Sequence, residues 1–563
     1  MTVSPESYFT TFTDDVSNKD LYESEWVPKI QAYRKKLVAA IPSEYRLSKD
    51  LVAATKANNF NAIQFMRDQA LLTAREIELT EFTAAKLSSL IASGALTSVE
   101  LFQAFAKRAC IAHQLTNCAM DIFVPEGLAR AQELDKIFAE TGKVVGPFHG
   151  LPVSIKEHYG YKGKITHGAY VSLLDSVSEE TADVTQTMMN LGAVFFIRTS
   201  QPQCLMHLDS NNNVTGLTMN PYNLGLSPGG SSSGEGALGA FRGSVFGIGS
   251  DIGGSIRTPA AFSGCNGLRP TSLRVSLTGA VGPSPGQESV KCVVGPLSAY
   301  IEDLQFFMDH YLNDGKPAVQ DPTLVPLPWR KTSPVSGQKI KVGIMSDDGI
   351  VKPLPPIARG LQHARAALER LPNVEVVDFL PIKTQLAYDT VHQMYNADGN
   401  RGQKNLLKGS GEPLVALTKW ALAYGKGDAA LSVHENQDLN YIRDNLRAEY
   451  TKFMEDNGID FLLTPTYNNV APLHEKVYNW SYTSLFNLLD FPTLAFQTGL
   501  FQDPIQDVKG EHQCRGPLEE LEWGLYEPEK FAGAPIALLL AGKRHHDEQV
   551  LQFGKHIQDA MMQ

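Results

Sequence analysis

Apolar residues recur along this chain at two periods, and the switch between them outlines its organisation. Trp26, Ile30, Tyr33, Leu37 and Ile41 fall at helical spacing in a mixed polar and aromatic stretch, so residues 1–80 read as a helical extension wrapping a larger body, residues 81–563. Thr83 caps a helix through Ile91 that Gly94 ends. Thr97-x-x-Glu100 spells a capping box for a helix with Val99, Phe102, Phe105 and Ala106 on one face. A third helix over 126–140 turns Leu128, Ala131, Leu134, Ile137 and Phe138 inward and stops at Gly142.

Short apolar runs then predict strands at Leu151–Ile155, ending on Lys156, and at Ala193–Ile197 after a helical stretch over 181–190. Further runs lie at Ile340–Met345, Val374–Phe379, Phe461–Leu463 and Thr493–Phe496, with helical patterns between several of them. Strands alternating with helices predict an α/β fold: a mixed, twisted sheet covered by helices on both faces. Residues 381–452 carry no strand pattern and read as a helical insertion that shapes a pocket, with Tyr395, Trp420 and Tyr424 as candidate wall residues. The Pro- and Gly-containing stretch 315–338 reads as a loop joining two parts of one domain.

A chain of 563 residues, 43% hydrophobic and 20% charged, is long enough for a large core. Its formal net charge of −11 argues against nucleic acid or an anionic membrane as the main partner. The six cysteines are scattered without metal-ligand spacing, which predicts reduced thiols. The N-terminus lacks a secretory pattern, and the apolar run 535–541 is far shorter than a membrane span of roughly 20 residues. These features predict a cytoplasmic protein with no membrane span.

The stretch from Ser227 to Pro270 concentrates the chemistry. Two serine-bearing glycine turns, Ser227-Pro-Gly-Gly-Ser-Ser-Ser-Gly-Glu-Gly236 and Gly249-Ser-Asp-Ile-Gly-Gly-Ser-Ile-Arg257, flank an apolar segment that a flexible linker would not contain. Glycines in series bring backbone N–H groups close to a ligand. Phosphate is a poor candidate: no G-K-[ST] tripeptide exists, and Ile252 occupies the last glycine site of a dinucleotide fingerprint. Gly230-Ser-Ser-Ser-Gly234 matches the nucleophile elbow in letters, but a loop rather than a strand precedes it. A third reading joins both turns to Lys156. Burial would lower the pKa of this lysine and make it a base, a serine within its reach would become a nucleophile, and Ile252-Gly-Gly-Ser255 could aim N–H groups at an oxyanion.

These two turns, together with Gly267-Leu-Arg-Pro270 and His149-Gly-Leu-Pro-Val-Ser-Ile-Lys156-Glu, resemble the signature of the amidase signature family. Lys107–Asn117, Asn220-Pro-Tyr-Asn223 and Tyr482–Pro492 resemble its eukaryotic, fungal-type acetamidase and general amidase branch, Gly533–Arg544 resembles the family's last strand, and the likeness spans about residues 25–560. The resemblance implies a single large catalytic domain and an amidohydrolase for a small-molecule amide, with no metal or cofactor. It also implies a Ser–Ser–Lys triad: Ser255 as acyl-accepting nucleophile, Ser231 as proton shuttle in a cis peptide with Ser232, and Lys156 as base. Ile252, Gly253, Gly254 and Ser255 would supply the oxyanion hole, Ser232, Asp251 and Arg257 would support it, and Leu205 would sit on the acyl-side wall. A homodimer is a family-level expectation. Three positions depart from the pattern: Ser233 in place of glycine, where it could crowd the acyl site, Glu157 in place of aspartate, and Leu538 in place of glutamine. The alternatives are a glutamine-hydrolysing amidotransferase subunit and a catalytically silent binding protein on the same fold.

Overall fold

The computed structural model describes residues 12–54, 59–332 and 339–563. Residues 1–11 and 55–58 of the predicted extension and 333–338 of the predicted loop therefore lie outside the described residues.

One mixed sheet runs through the molecule. Its strands are β1 (Ala119–Ile122), β2 (Pro152–Lys156), β3 (Val194–Thr199), β4 (Gly247–Asp251), β5 (Asn266–Arg269) and β6 (Val293–Ser298), followed by β7 (Ile340–Ile344), β8 (Val374–Asp378), β9 (Phe461–Pro465), β10 (Thr493–Phe501) and β11 (Pro535–Gly542). Their spatial order is β1-β3-β2-β4-β6-β5-β10-β11-β9-β7-β8. Parallel pairing joins β2 to β3 and β4, and β7 to β8 and β9, while the middle of the sheet is antiparallel. Every residue of β2, β3, β4, β6, β9 and β11 is buried, so both faces of these strands are covered, and their runs are continuous rather than alternating. The partly exposed β8 closes one edge.

β1, β4, β5 and β6 were not among the expected strands, and composition explains two of them. β4 reads Gly-Ile-Gly-Ser-Asp, and a Cβ on Gly247 would come within 1.6 Å of a Glu235 carboxylate oxygen. The strand is glycine-rich because another chain segment presses on it, and glycine suppresses the strand signal. β6 carries Pro296 opposite Ile248 in the sheet interior, where proline is normally disfavoured.

The helices lie close to their expected places. Thr83 caps Ala84–Ala92, and Val124–Thr141 ends on Gly142 with φ 66°. Thr97 caps Ser98–Thr116, but the box is half formed: the Glu100 carboxylate turns to Arg75 at 2.9 Å. In the N-terminal stretch, Trp26 and Ile30 pack on Val171, Leu174 and Val214, whereas Leu37 and Ile41 join the cluster around Phe102 and Leu238. Residues 381–452 hold the helices Thr384–Tyr395, Arg401–Lys408 and Ala416–Leu422 and most of Val433–Asp456.

Candidate active site

β2 and β4 are parallel neighbours, with Ser154 opposite Gly247 and Ile155 opposite Ile248, so Lys156 and Ser250 emerge at the same edge of the sheet. The crevice beyond strand C-termini is where open α/β sheets bind ligands. Lys156 is fully buried there. Its Nζ donates to Ser231 Oγ at 2.7 Å and to Ser250 Oγ at 3.2 Å. Burial pulls its pKa down to about 7, against the opposing pull of Cys292, Asp251 and Glu235, so near neutral pH the amine is poised between its two forms.

Ser231 belongs to the first turn, which runs into the helix Ser233–Ala240. The cis peptide is Gly230–Ser231, not the Ser231–Ser232 bond the resemblance implied. Asp209 clamps this turn: its carboxylate accepts from Ser227 Oγ at 2.6 Å and from the Glu475 N–H at 2.6 Å, and its carbonyl accepts from Ser233 Oγ at 3.2 Å. Ser233 is thus buried and bonded away from the cavity, and does not crowd it. Ser232 stitches the two turns together. Its N–H donates to the Ser255 carbonyl at 3.0 Å, and its hydroxyl bridges the backbone of Ser250.

The second turn, Ile252–Ile256, folds around Asp251. This carboxylate accepts from the N–H of Gly254 at 2.9 Å and of Ile256 at 3.1 Å, from Asn487 at 2.8 Å, and from Arg257 through Nε at 3.0 Å and Nη2 at 2.9 Å. Burial works against the charge, but the Arg257 guanidinium prevails and holds the carboxyl well below the usual carboxylate range. Arg257 also reaches the Thr483 carbonyl and Asn487. From outside, Tyr395 OH donates to the Ile252 carbonyl at 2.8 Å and Thr483 Oγ1 to the Gly253 carbonyl at 2.6 Å. Gly254 sits at φ +135°, and a Cβ there would meet Thr483 Oγ1 at 2.7 Å. With the Gly254 N–H committed to Asp251, the N–H groups of Ile252, Gly253 and Ser255 are left without a protein acceptor among the described residues.

Ser231, Ser250 and Ser255 line one cavity of about 540 Å³, with Lys156 behind them. This volume lies within the range of small-molecule sites, roughly 300–1,000 Å³. Its apolar wall includes Leu205, Met206, Ile252, Leu273, Val275 and Leu277. Tyr395 also faces the cavity, whereas Trp420 and Tyr424 line a separate pocket with His392. Glu157 is buried and accepts from the N–H of His167 and Gly168 and from Gln201, so it fastens the loop after β2. Leu538 is core on β11, away from the cavity. All six cysteines are free thiols, and no helix among the described residues is long and apolar enough to cross a membrane.

Sequence reasoning did not single out Asp209, Ser250, Thr483 or Asn487. Thr483 and Asn487 lie more than 200 positions from the turn they hold, and Asp209 sits in an unremarkable polar run. Ser250 could have been found by strand pairing, had β4 been legible.

A mixed α/β sheet that brings two serine-bearing glycine turns over a buried lysine defines a hydrolase of the amidase class. The Amidase family profile matches residues 100–551. A putative amidase of Schizosaccharomyces pombe is 41% identical over 516 residues, covering 91% of this chain and 95% of that protein. An acetamidase of Emericella nidulans is 36% identical over 93% of this chain and 96% of its own length. Among solved structures, a fatty acid amide hydrolase superposes with a TM-score of 0.97 at 50% identity, over 99% of both chains. The chain belongs to the amidase family, and it is an amide hydrolase.

Proposed function

We propose that this chain hydrolyses carboxylic amides with an apolar acyl chain through an acyl-enzyme on Ser255, with Ser231 relaying protons to and from Lys156. The observation that carries this reading is the buried 2.7 Å hydrogen bond from Lys156 Nζ to Ser231 Oγ, on the wall of the cavity that Ser255 shares. A lysine whose pKa has been drawn toward neutrality can both take and return a proton.

The substrate carbonyl oxygen enters the turn and accepts from the N–H groups of Ile252, Gly253 and Ser255. This is a smaller set than the sequence suggested, because the Gly254 N–H serves Asp251. Ser255 Oγ forms a bond to the carbonyl carbon and passes its proton to Ser231, whose own proton moves to Lys156. The C–N bond then breaks as Lys156 returns the proton through Ser231 to the nitrogen, since an amine anion is too poor a leaving group. Water attacks the ester on Ser255 by the same relay, releasing the acid. Asp251, Arg257, Thr483 and Tyr395 orient the turn without touching the reacting atoms. The apolar wall and the 50% identity to a fatty acid amide hydrolase support an extended hydrocarbon on the acyl side.

Replacing Lys156 by Ala tests the relay. Amide hydrolysis is expected to fall by at least about a hundredfold more than hydrolysis of the matched ester, because an alkoxide needs less protonation to leave. Equal losses on amide and ester would contradict the role given to Lys156.

A further inference from the structure

The helix that follows the first turn carries a carboxyl group that the proposed relay leaves unused. Glu235 lies in the first turn of Ser233–Ala240, with its side chain buried. Its Oε2 accepts from Ser154 Oγ at 2.6 Å and its Oε1 from Thr199 Oγ1 at 2.7 Å. Both partners flank the lysine. Ser154 precedes Lys156 by two residues on β2, so the two side chains point to one face of the sheet, and Thr199 is the direct neighbour of Lys156 on β3. Gly247, opposite Ser154 on β4, leaves the space that the carboxyl fills. Two residues of strand span about 7 Å, so carboxyl and amine lie at about that distance on one buried face.

No cation bonds this carboxyl among the described residues. Its two partners are neutral hydroxyls, and Ser154 is in turn backed by Ser244 Oγ at 2.9 Å. The titratable groups that act on it or feel its charge are Lys156 on β2, Tyr159 beyond β2, Cys118 before β1 and Cys265 before β5. Burial raises the pKa of the phenol and of both thiols, up to about 12 for Cys118, so these three stay neutral. Around Lys156, Asp251 is already neutralised by Arg257. Burial pushes the Cys292 thiol up to about 11 and His158 down to about 3, so neither carries charge near neutral pH. Glu235 is thus the carboxyl near Lys156 whose charge is not already spent.

Burial raises the Glu235 pKa to about 7, against the pull of the two hydroxyls and Lys156. The carboxyl is therefore ionised on the alkaline side of neutrality, where the neutral amine works. Each proton taken from Ser255 then puts a positive charge on a fully buried Nζ, and a nearby anion lowers the cost of that charge.

We propose that Glu235 is a positioning residue acting through Lys156: its carboxylate is the counter-charge that stabilises the ammonium formed each time Ser255 gives up its proton. The proposal rests on the relay through Ser231. At an effective dielectric of about 20, a unit negative charge about 7 Å away raises an amine pKa by about 1.5 units. Glu235 is only partly ionised where Lys156 titrates, so removing the carboxylate should lower the Lys156 pKa by about one unit.

The test follows kcat/KM for octananilide against pH in wild type, Glu235→Gln and Glu235→Asp. In Glu235→Gln the rise that accompanies loss of the Lys156 proton should move about one unit toward lower pH, and kcat at about pH 8.5 should fall about tenfold with KM within about threefold. Glu235→Asp, which keeps a carboxylate, should hold the rise within about 0.3 unit of wild type. A rise that stays at the wild-type pH in Glu235→Gln would show a merely structural role and overturn the proposal, as would a shift toward higher pH. If Glu235→Gln does not fold, the reciprocal effect supplies the readout, because coupling between two sites is mutual. Infrared spectroscopy of the protonated carboxyl carbonyl should show one buried carboxyl that keeps its proton to about one pH unit higher in Lys156→Met than in wild type. Identical titrations would overturn the proposal. Amide hydrolysis that survives Lys156→Ala would bring down the relay and the proposal with it, whereas an unmoved rise alongside an inactive Lys156→Ala protein would bring down the proposal alone.

Discussion

Replacing Lys156 by Met should stabilise the protein at neutral pH while abolishing amide hydrolysis. The lysine's pKa falls from an ordinary 10.5 to about 7 in the fold. At about 1.36 kcal/mol per pKa unit, that fall is a penalty of roughly 5 kcal/mol on the folded state. The folded chain binds fewer protons than the unfolded chain between pH 7 and 10.5, so the penalty is complete below pH 7 and fades as pH rises toward 10.5. Methionine fills similar volume and carries no such penalty. It forfeits the bonds to Ser231 and Ser250, worth about 1–3 kcal/mol together. The variant should therefore be more stable than wild type by about 2–4 kcal/mol at pH 7, and its advantage should shrink by about 3 kcal/mol at pH 9.5. Urea unfolding at the two pH values, with midpoints compared at matched slopes, measures both quantities. A variant less stable than wild type at pH 7, or a difference that ignores pH, would refute the claim that Lys156 is a desolvated base.

The same pKa predicts that kcat/KM for an amide rises with pH through about 7, because the neutral amine is the competent base, and a flat profile between pH 5.5 and 8.5 would count against it. Asp251→Asn should cost about 3–5 kcal/mol in urea unfolding, because it leaves the fully buried Arg257 charge unmatched. It should also lower kcat far more than it raises KM.

The sequence told more about the chemistry than about the scaffold that holds it. The two serine-bearing glycine turns and the apolar run ending in Lys156 stood out as local patterns, and the choice of Ser231 and Ser255 among their serines came from the family resemblance. The strands connecting them were harder to read. β4 must be nearly free of side chains where Glu235 and Ser232 press on it, and β6 carries a proline opposite Ile248 in the sheet interior, where proline argues against a strand. Distance hid the remaining supports. Asn487 and Thr483 reach the second turn from the far end of the chain, and Tyr395 holds the Ile252 carbonyl from a helix whose pattern suggested only a wall. Trp420 and Tyr424 share Tyr395's aromatic character but face another pocket, a distinction that depends on helix orientation and not on composition. The oxyanion turn shows the same limit. Four consecutive N–H groups looked equivalent in sequence until Asp251 took one of them.

Which hydroxyl takes the acyl group is the central point of the proposed mechanism. A serine-directed fluorophosphonate, applied to the folded protein and followed by peptide mass spectrometry, reads this out. The label should fall on Ser255, persist at a reduced rate in Ser231→Ala and vanish in Ser255→Ala. Label on Ser231 or Ser250, or undiminished labelling of Ser255→Ala protein, would contradict the assignment.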